Sequence, residues 1–365
     1  MRRSWLIVLS VLLLLLLICN SSFAKEQSVE NDSLGHKTEV KGKFDVGEFI
    51  FDHILDQYGW HLFTYHHKHI TIPLPIILKS KSQGWNIFLS SKLEHGHSYK
   101  GFIIDQEGNN KGKIIEVDSS GAFIEKPLDL SITKNVFAII ISSIILLIVF
   151  VSVAKTYSRR VDMPPKGLQS LLEPIILFVR DDIAKSSINE KNYERFTPFL
   201  LTIFFFILLN NLMGLIPIFP GGANVTGNIT VTLVLALFTF TITTITGNRV
   251  YWKHIFNAPG VPWWLKAPLP LIPFIELAGM LTKPFVLMIR LFANISAGHI
   301  IVLGFFSLIF IFGNINTIAG FAVSPVSVLF TIFMSVLELL VAFIQAYVFT
   351  FLTALYFGMA TEEHH

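Results

Sequence analysis

Residues 282–299 read TKPFVLMIRLFANISAGH, and they contain the feature that decides the fold of this chain. Arg290 lies in the middle of this apolar run, too far from a charged loop for its side chain to reach water easily. Because a guanidinium stays charged in proteins, it needs a carboxylate or a wet cavity there. An ionisable residue inside a membrane helix marks a functional site by default. The stretch therefore predicts a membrane helix that carries a functional arginine.

Other polar residues on this predicted helix occupy defined faces. At about 100° per residue, Asn294 lies near the Arg290 face, whereas His299 lies on the opposite face and about 13 Å along the helix. Glu276, fourteen residues before Arg290, returns to within about 40° of the arginine face. Three small residues would let a second helix approach closely: Ala293, Ala297 and Gly298.

A second apolar run carries the complementary groups. Glu338 and Gln345 are seven residues apart and therefore share one face of a helix. Together the two helices predict a polar, partly wet path through the membrane. The alternative is a buried ion pair between Arg290 and a glutamate that simply clamps two helices. Lys283 precedes Pro284, which is expected to bend the helix. Snorkelling of the Lys283 ammonium to water would account for this lysine without assigning it a function.

The composition of the whole chain agrees with a membrane protein. Of 365 residues, 52% are hydrophobic and 15% are charged, against about 25% charged in a typical soluble domain. These proportions exclude an ordinary soluble enzyme. A net charge of +3 gives no indication of nucleic-acid binding. Cys19 is the only cysteine, which excludes a disulfide framework and a cysteine-based zinc site.

Apolar segments long enough to cross a membrane follow one another from residue 136 onward. Two of them exceed the roughly 20 residues of a single span, so each is either broken into several spans or a long, steeply tilted helix. The predicted segments are 136–154, 199–219, 225–246, 269–312 and 321–358. The stretch 313–325 between the last two, which contains no basic residue, is interpreted as a loop.

The charges of the loops set the orientation. Basic residues crowd the loop after the first segment and recur after the third, whereas residues 220–224 and 313–325 have none. By the positive-inside rule, the two basic loops are cytoplasmic. Within the first of them, apolar residues at helical spacing predict an amphipathic helix on the inner membrane surface: Leu168, Leu171, Leu172, Ile175, Ile176 and Val179.

The N-terminus has the layout of a secretory signal peptide. Arg2 and Arg3 precede a short apolar run over 5–18, and small residues at Ser22 and Ala24 fit cleavage after Ala24. The alternative is a retained signal anchor. Either interpretation places the following segment outside the cytoplasm, in agreement with the loop charges.

Residues 25–134 form a more polar outer segment to which no chemistry is assigned. A short helix is expected over 49–55, extended pieces over 70–78 and 113–117, and a loop over 106–112. Its histidines favour a solvated loop that titrates near neutral pH, with transition-metal binding as the alternative. The clustered histidines are His61, His66, His67 and His69.

The motifs resemble those of one known family. The stretch 282–299 resembles the signature of subunit a of F-type ATP synthase, and Glu338 and Gln345 followed by AYVF at 346–349 resemble that family's last helix. The sequence NNLMGLIP at 210–217 resembles the end of its second spanning helix. The resemblance covers residues 129–358, whereas the long outer segment and the signal peptide are not shared by shorter members.

This resemblance implies a role for each candidate residue. Arg290 corresponds to the essential arginine that faces a rotating ring of c subunits, favours ionised ring carboxylates and blocks a direct proton leak. His299 and Glu338 correspond to the polar pair of the half-channel open to the outside, although some members have the acid first and the histidine second. Asn294 and Gln345 correspond to residues that orient the arginine or line the path. Glu276 corresponds to the carboxylate near the inner exit.

The expected protein is thus an all-α integral membrane protein of the bacterial inner membrane, with spanning helices and two long tilted helices against a c-ring. The expected division is a signal peptide (1–24), a periplasmic segment (25–134), a membrane domain (135–360) and a cytoplasmic tail (361–365). Its partners would be the c-ring, the b subunits of the peripheral stalk, the rest of the complex and the bilayer. No enzyme activity, cofactor or metal is expected. A nucleotide site is not expected either, since no phosphate-binding loop is found.

Two other functions remain open at this point. A secondary transporter could use Arg290 to bind an anionic substrate, although no internal repeat supports it. A membrane enzyme is the second alternative, but neither a zinc-protease helix motif nor a nucleophile elbow is found.

Overall fold

The computed structural model describes residues 46–47, 50, 54–65, 68–105, 110–118, 121–159, 163–216, 218–256 and 271–362. Two compact units contain the described residues. The first unit comprises Thr133–Asn294 and Val341–His365, and the second comprises Asn20–Ile132 and Ile295–Leu340. The predicted signal peptide, the histidine side chains at 61–69, and Lys266 lie outside the described residues, as does most of the helix predicted over 49–55.

The outer segment is built from short antiparallel strands. They are β1 (Gly59–Tyr65), β2 (Lys68–Pro73), β3 (Pro75–Ser80), β4 (Gly84–Leu89), β5 (Phe102–Ile104), β6 (Ile114–Val117), β7 (Phe123–Glu125) and β8 (Leu128–Asp129). β1 pairs with β2, and the other strands form two three-stranded sheets in the orders β4-β3-β8 and β5-β6-β7. The extended pieces predicted over 70–78 and 113–117 are confirmed as β2, β3 and β6.

The core of this segment comes from alternating strand residues. Ile76 and Leu78 of β3 and Phe88 of β4 are buried with Phe102 and Ile114. The most deeply buried charged side chain beside them is Glu116, which is 1% exposed. Its carboxylate accepts hydrogen bonds from three side chains, so the charge is satisfied inside the protein: Ser80 at 2.5 Å, Ser82, and Gln83 at 3.1 Å.

The membrane part is helical, as predicted. Its shorter helices are α1 (Lys134–Arg159), α2 (Leu168–Leu177), α3 (Tyr193–Leu215), α4 (Ile229–Thr246) and α5 (Arg249–Phe256). The helix predicted over 168–179 is confirmed as α2, which continues as a π-helix over Phe178–Ala184. α4 begins four residues later than predicted, because the side chain of Asn228 accepts a hydrogen bond from the Thr230 N–H and caps the helix.

The two long apolar tracts are single continuous helices, α6 (Leu271–Ile315) and α7 (Thr317–Thr361). Each has 45 residues, or about 67 Å at 1.5 Å per residue, more than twice the roughly 30 Å hydrocarbon core. Such helices fit a bilayer only when they are steeply tilted or bent. Together with α1, α3 and α4 they make five helices, among the described residues, that are long and apolar enough to cross a membrane.

The loop predicted over 313–325 is wrong. Only Asn316 separates the two helices, and its side-chain oxygen accepts a hydrogen bond from the Ile318 N–H at 3.1 Å to cap α7. Gly313 and Gly320 of this stretch lie within the helices. A Cβ on Gly320 would be 2.8 Å from the Cα of Gly313, so these glycines allow the two backbones to approach closely.

Candidate functional site

In the second unit, α6 and α7 bring together two residues predicted on separate helices. The Nδ1 atom of His299 contacts the Oε1 atom of Glu338. Their side chains are 16% and 6% exposed, so the pair is largely removed from solvent. The contact joins a titratable ring and a carboxylate, the combination that suits a proton relay.

The close approach of the helices in this unit depends on small residues. A Cβ on Gly298 would be 3.0 Å from Oε1 of Glu338 and 3.3 Å from its Cδ atom, so glycine leaves room for the carboxylate. Further along the pair, the Ser327 hydroxyl of α7 donates to the Phe305 carbonyl of α6. The rings of Phe305 and Phe330 also stack, with 5.2 Å between their centroids. These contacts hold His299 and Glu338 together.

In the first unit, Arg290 is exposed on the surface of α6. It forms no hydrogen bond or ion pair with any residue that the structure describes. The alternative of a buried Arg–Glu clamp is therefore not observed in the described part of the chain, where Glu338 contacts His299 instead. A charged group left on an apolar helix face requires a partner beyond the described residues or a wet environment.

The other polar residues predicted on α6 have different surroundings. Asn294 is exposed one turn after Arg290, and Glu276 is half-buried. Lys283 is also half-buried, and its Nζ atom lies over the ring of Tyr356 at 5.4 Å from the centroid. This cation–π contact helps to accommodate the ammonium on an apolar helix.

Gln345 is buried on α7 beside a polar link that the sequence did not predict. The Asn211 side-chain amide of α3 donates to the Ala342 carbonyl at 3.1 Å, one turn before Gln345. Its oxygen accepts a hydrogen bond from the Thr226 hydroxyl at 2.5 Å. Asn211 is 3% exposed, and it anchors the segment of α7 that carries Gln345. The two consecutive asparagines in an apolar run were the available signal.

The described residues include no group of three or more histidine, cysteine, aspartate or glutamate side chains that could hold a metal ion. One buried His–Glu pair can exchange a proton, and one exposed guanidinium can attract a carboxylate presented from outside the chain.

The comparisons with known proteins identify the membrane part. The family model described as ATP synthase A chain matches residues 136–358. Residues 49–133, which hold the β strands, match a domain of unknown function, DUF8433.

Relatives with similar sequences come from several bacteria. The chain is 42% identical over 244 residues to ATP synthase subunit a of Chloroherpeton thalassium, covering 65% of this chain and 69% of that protein. It is 45% identical over 242 residues to ATP synthase subunit a 2 of Chlorobaculum tepidum, covering 64% of each. It is 38% identical over 265 residues to ATP synthase subunit a of Anaeromyxobacter sp., covering 69% of this chain and 60% of that protein.

These matches favour neither a secondary transporter nor a membrane enzyme. The family match extends over more than half of the chain and includes all six candidate site residues, from Glu276 to Gln345. The chain therefore belongs to the ATP synthase A chain family: it is a multi-pass membrane protein and the non-catalytic, proton-conducting stator subunit of the membrane sector of an ATP synthase.

Proposed function

We propose that Arg290 is the fixed positive charge that a ring of c subunits passes during rotation. The observation that carries this proposal is an exposed guanidinium that forms no hydrogen bond or ion pair with the described residues. A carboxylate arriving from a neighbouring subunit would be stabilised in its ionised form by this charge. It would release its proton before passing Arg290 and take up another afterwards.

The exposed faces of the two long helices support a large neighbour. In the most apolar 18-residue stretch of α6 and of α7, 17% of the stretch is buried inside the protein. In the corresponding stretches of α1, α3 and α4, the buried share is 33–44%. Ala293 and Ala297 are exposed on the side of α6 that carries Arg290, so a second helix can come close to the guanidinium. The c-ring is the proposed neighbour on this side, and the b subunits of the peripheral stalk are proposed elsewhere on the chain.

The remaining candidates divide between two half-channels. The His299–Glu338 pair passes protons between the outside and the ring, with the carboxylate holding the imidazole in position for proton exchange. Glu276, on the other side of Arg290 along α6, lies near the inner exit. Asn294 and Gln345 orient the arginine or line the path. Because Arg290 lies between the two groups in α6, protons cross the membrane only by riding on the ring.

The orientation follows from the charges of the loops. Basic α5 and the segment after α1 lie on the cytoplasmic side of the bacterial inner membrane, as does the C-terminal tail at 361–365. Residues 1–24 are proposed as a signal peptide and 25–134 as a periplasmic segment, followed by the membrane domain at 135–360.

Cross-linking tests the position of Arg290 in the assembled complex. With Cys19 replaced by serine, Asn294→Cys is paired with a cysteine beside the ring carboxylate of the c subunit. Phe292→Cys is the matched control at nearly the same depth, because two residues turn the helix by about 200°. The proposal expects cross-linking at 294 well above that at 292. Equal cross-linking, or cross-linking at 292 alone, would contradict it.

A further inference from the structure

One strand of the outer segment exposes apolar side chains where polar ones are expected. In β4, Trp85, Ile87 and Leu89 are 58%, 69% and 47% exposed, whereas the alternate residues Asn86 and Phe88 are buried. A solvated face of an antiparallel sheet normally carries polar residues outside and apolar residues inside. Here the outward-facing residues are all apolar, and the polar asparagine points inward.

The neighbouring strands extend this apolar surface. Ile77 of β3 lies opposite Ile87, and Lys79 lies opposite both Trp85 of β4 and Leu128 of β8. Directly opposed residues project from the same side of a sheet. Leu128 is itself 54% exposed. We call this surface the exposed sheet face, and it consists of Ile77, Lys79, Trp85, Ile87, Leu89 and Leu128.

The polar groups of this face are cationic. The Nζ atom of Lys79 lies over the Trp85 ring at 5.4 Å from the centroid. Beyond the end of β3, the side chain of Lys81 is 92% exposed, and its Nζ atom lies 3.7 Å from the Glu125 carboxylate. Tryptophan and lysine combined with aliphatic side chains are typical of the membrane–water interface, where indole rings sit at headgroup level and lysines extend towards anionic groups. The chemistry of the face thus matches a lipid surface.

The chain connection also places this face near a bilayer. β8 ends at Asp129 and the membrane-spanning α1 begins at Lys134, so the connecting residues span at most about 18 Å. A tethered surface meets the membrane at a high effective concentration, so even a weak contact is well populated.

We propose that the exposed sheet face lies on the lipid leaflet at the N-terminal end of α1. Trp85, Ile87 and Leu89 enter the boundary between headgroups and acyl chains, and Lys79 and Lys81 contact anionic headgroups. The β-stranded segment would then be a membrane-resting domain, a role separate from proton transfer and independent of which side of the membrane it occupies.

A fluorescent label tests this contact in the full chain within its complex, reconstituted in vesicles of phosphatidylcholine and phosphatidylglycerol. In a Cys19→Ser background, Ile87→Cys is labelled with an environment-sensitive fluorophore. Lys111→Cys, exposed in the turn between β5 and β6, is the control. At position 87, a nitroxide quencher carried by the lipid is expected to quench several-fold more than aqueous iodide. The reverse is expected at position 111.

A second variant separates docking from simple exposure. Replacing Trp85 and Leu89 with serine, both exposed and outside the core, is expected to raise iodide quenching at 87 towards the value at 111. Omitting phosphatidylglycerol is expected to lower lipid quenching at 87, and no change would overturn the role given to the lysines. Two results would overturn the proposal itself: strong iodide quenching at 87 in the parent protein, or protection from both quenchers, which would mean that protein covers the face.

Discussion

His299 and Glu338 are in direct contact although 39 positions separate them in the sequence. The imidazole Nδ1 of α6 meets the carboxylate Oε1 of α7, and both side chains are largely buried. Such a pair can pass a proton only if both partners are present and the space between the helices is preserved. The first two predictions test these requirements separately.

Exchanging the two residues should restore proton pumping that either single change removes. Glu338→Gln and His299→Gln are each expected to slow ATP-driven pumping by about 10-fold or more. A positioned proton-transfer group typically accelerates a reaction by about 10²–10⁴-fold. The double variant His299→Glu, Glu338→His keeps both groups and should pump faster than either single variant. Acidification of inverted vesicles measures this, and a double variant slower than both singles would contradict the pairing.

Crowding the pair should also impair pumping. Gly298→Val places atoms against the Glu338 carboxylate, where even a Cβ would be 3.0 Å from Oε1. Overpacking of this kind typically costs about 1–3 kcal/mol, so the carboxylate should shift and pumping should fall. Gly304→Val is the control on the same helix, because a Cβ there meets nothing within 4 Å. Equal losses in the two variants would show that any bulk on α6 is harmful and that the contact at Gly298 is unimportant.

Removing the Asn211 link should destabilise the subunit. Asn211→Ala leaves the Ala342 carbonyl and the Thr226 hydroxyl without this buried partner, at a typical cost of about 1–3 kcal/mol. The thermal unfolding midpoint of this subunit, measured in the purified complex, should fall. Thr202→Ala is a milder control, since that hydroxyl only donates to the carbonyl of Pro198 within the same helix. An unchanged midpoint for Asn211→Ala would contradict the anchoring role.

Acid should weaken the outer β segment through Glu116. Burial raises the pKa of Glu116, but hydrogen bonds from Ser80, Ser82 and Gln83 outweigh it and hold the pKa below its ordinary value. The ionised carboxylate therefore contributes stability that is present above the ordinary glutamate pKa and is lost as the pH falls through the lowered one.

Hydrogen exchange of β6 between pH 7 and pH 3, corrected for intrinsic exchange rates, measures this loss. Parent protein should lose protection towards the acid end, whereas Glu116→Gln should be less protected at pH 7 and change less with pH. Glu94→Gln is the control, because that carboxylate accepts a hydrogen bond from Thr71 outside this cluster. Identical pH profiles for the parent and Glu116→Gln would contradict the assignment.

The sequence predicted the spanning helices because long apolar runs have few other stable forms in a bilayer. Arg290, His299 and Glu338 could be recognised as candidate site residues for a related reason. Ionisable side chains are costly in such apolar runs and are therefore easy to identify. The turn at Asn316 was mispredicted, because the whole stretch 313–325, which has no basic residue, was interpreted as a loop between two apolar tracts. In the structure Gly313 and Gly320 serve the close approach of two helices, which depends on the partner helix and is not visible in one sequence.

The tertiary contacts of uncharged groups could not be predicted from the sequence either. Asn211 bonds a backbone carbonyl 131 positions away, and an amide in an apolar helix has many possible partners. The exposed sheet face was also missed, because Trp85, Ile87 and Leu89 alternate with Asn86 and Phe88, and this pattern alone would turn the wrong residues inward.

The central claim is that Arg290 works as a charged gate at the c-ring. Its most direct test is ATP-driven acidification of inverted vesicles that contain the assembled complex, comparing the parent protein with Arg290→Ala. Passive proton leak is recorded in the same vesicles after the peripheral ATPase is removed. The account predicts that pumping is lost while assembly stays intact and the leak is retained or raised. Normal pumping by Arg290→Ala would contradict it.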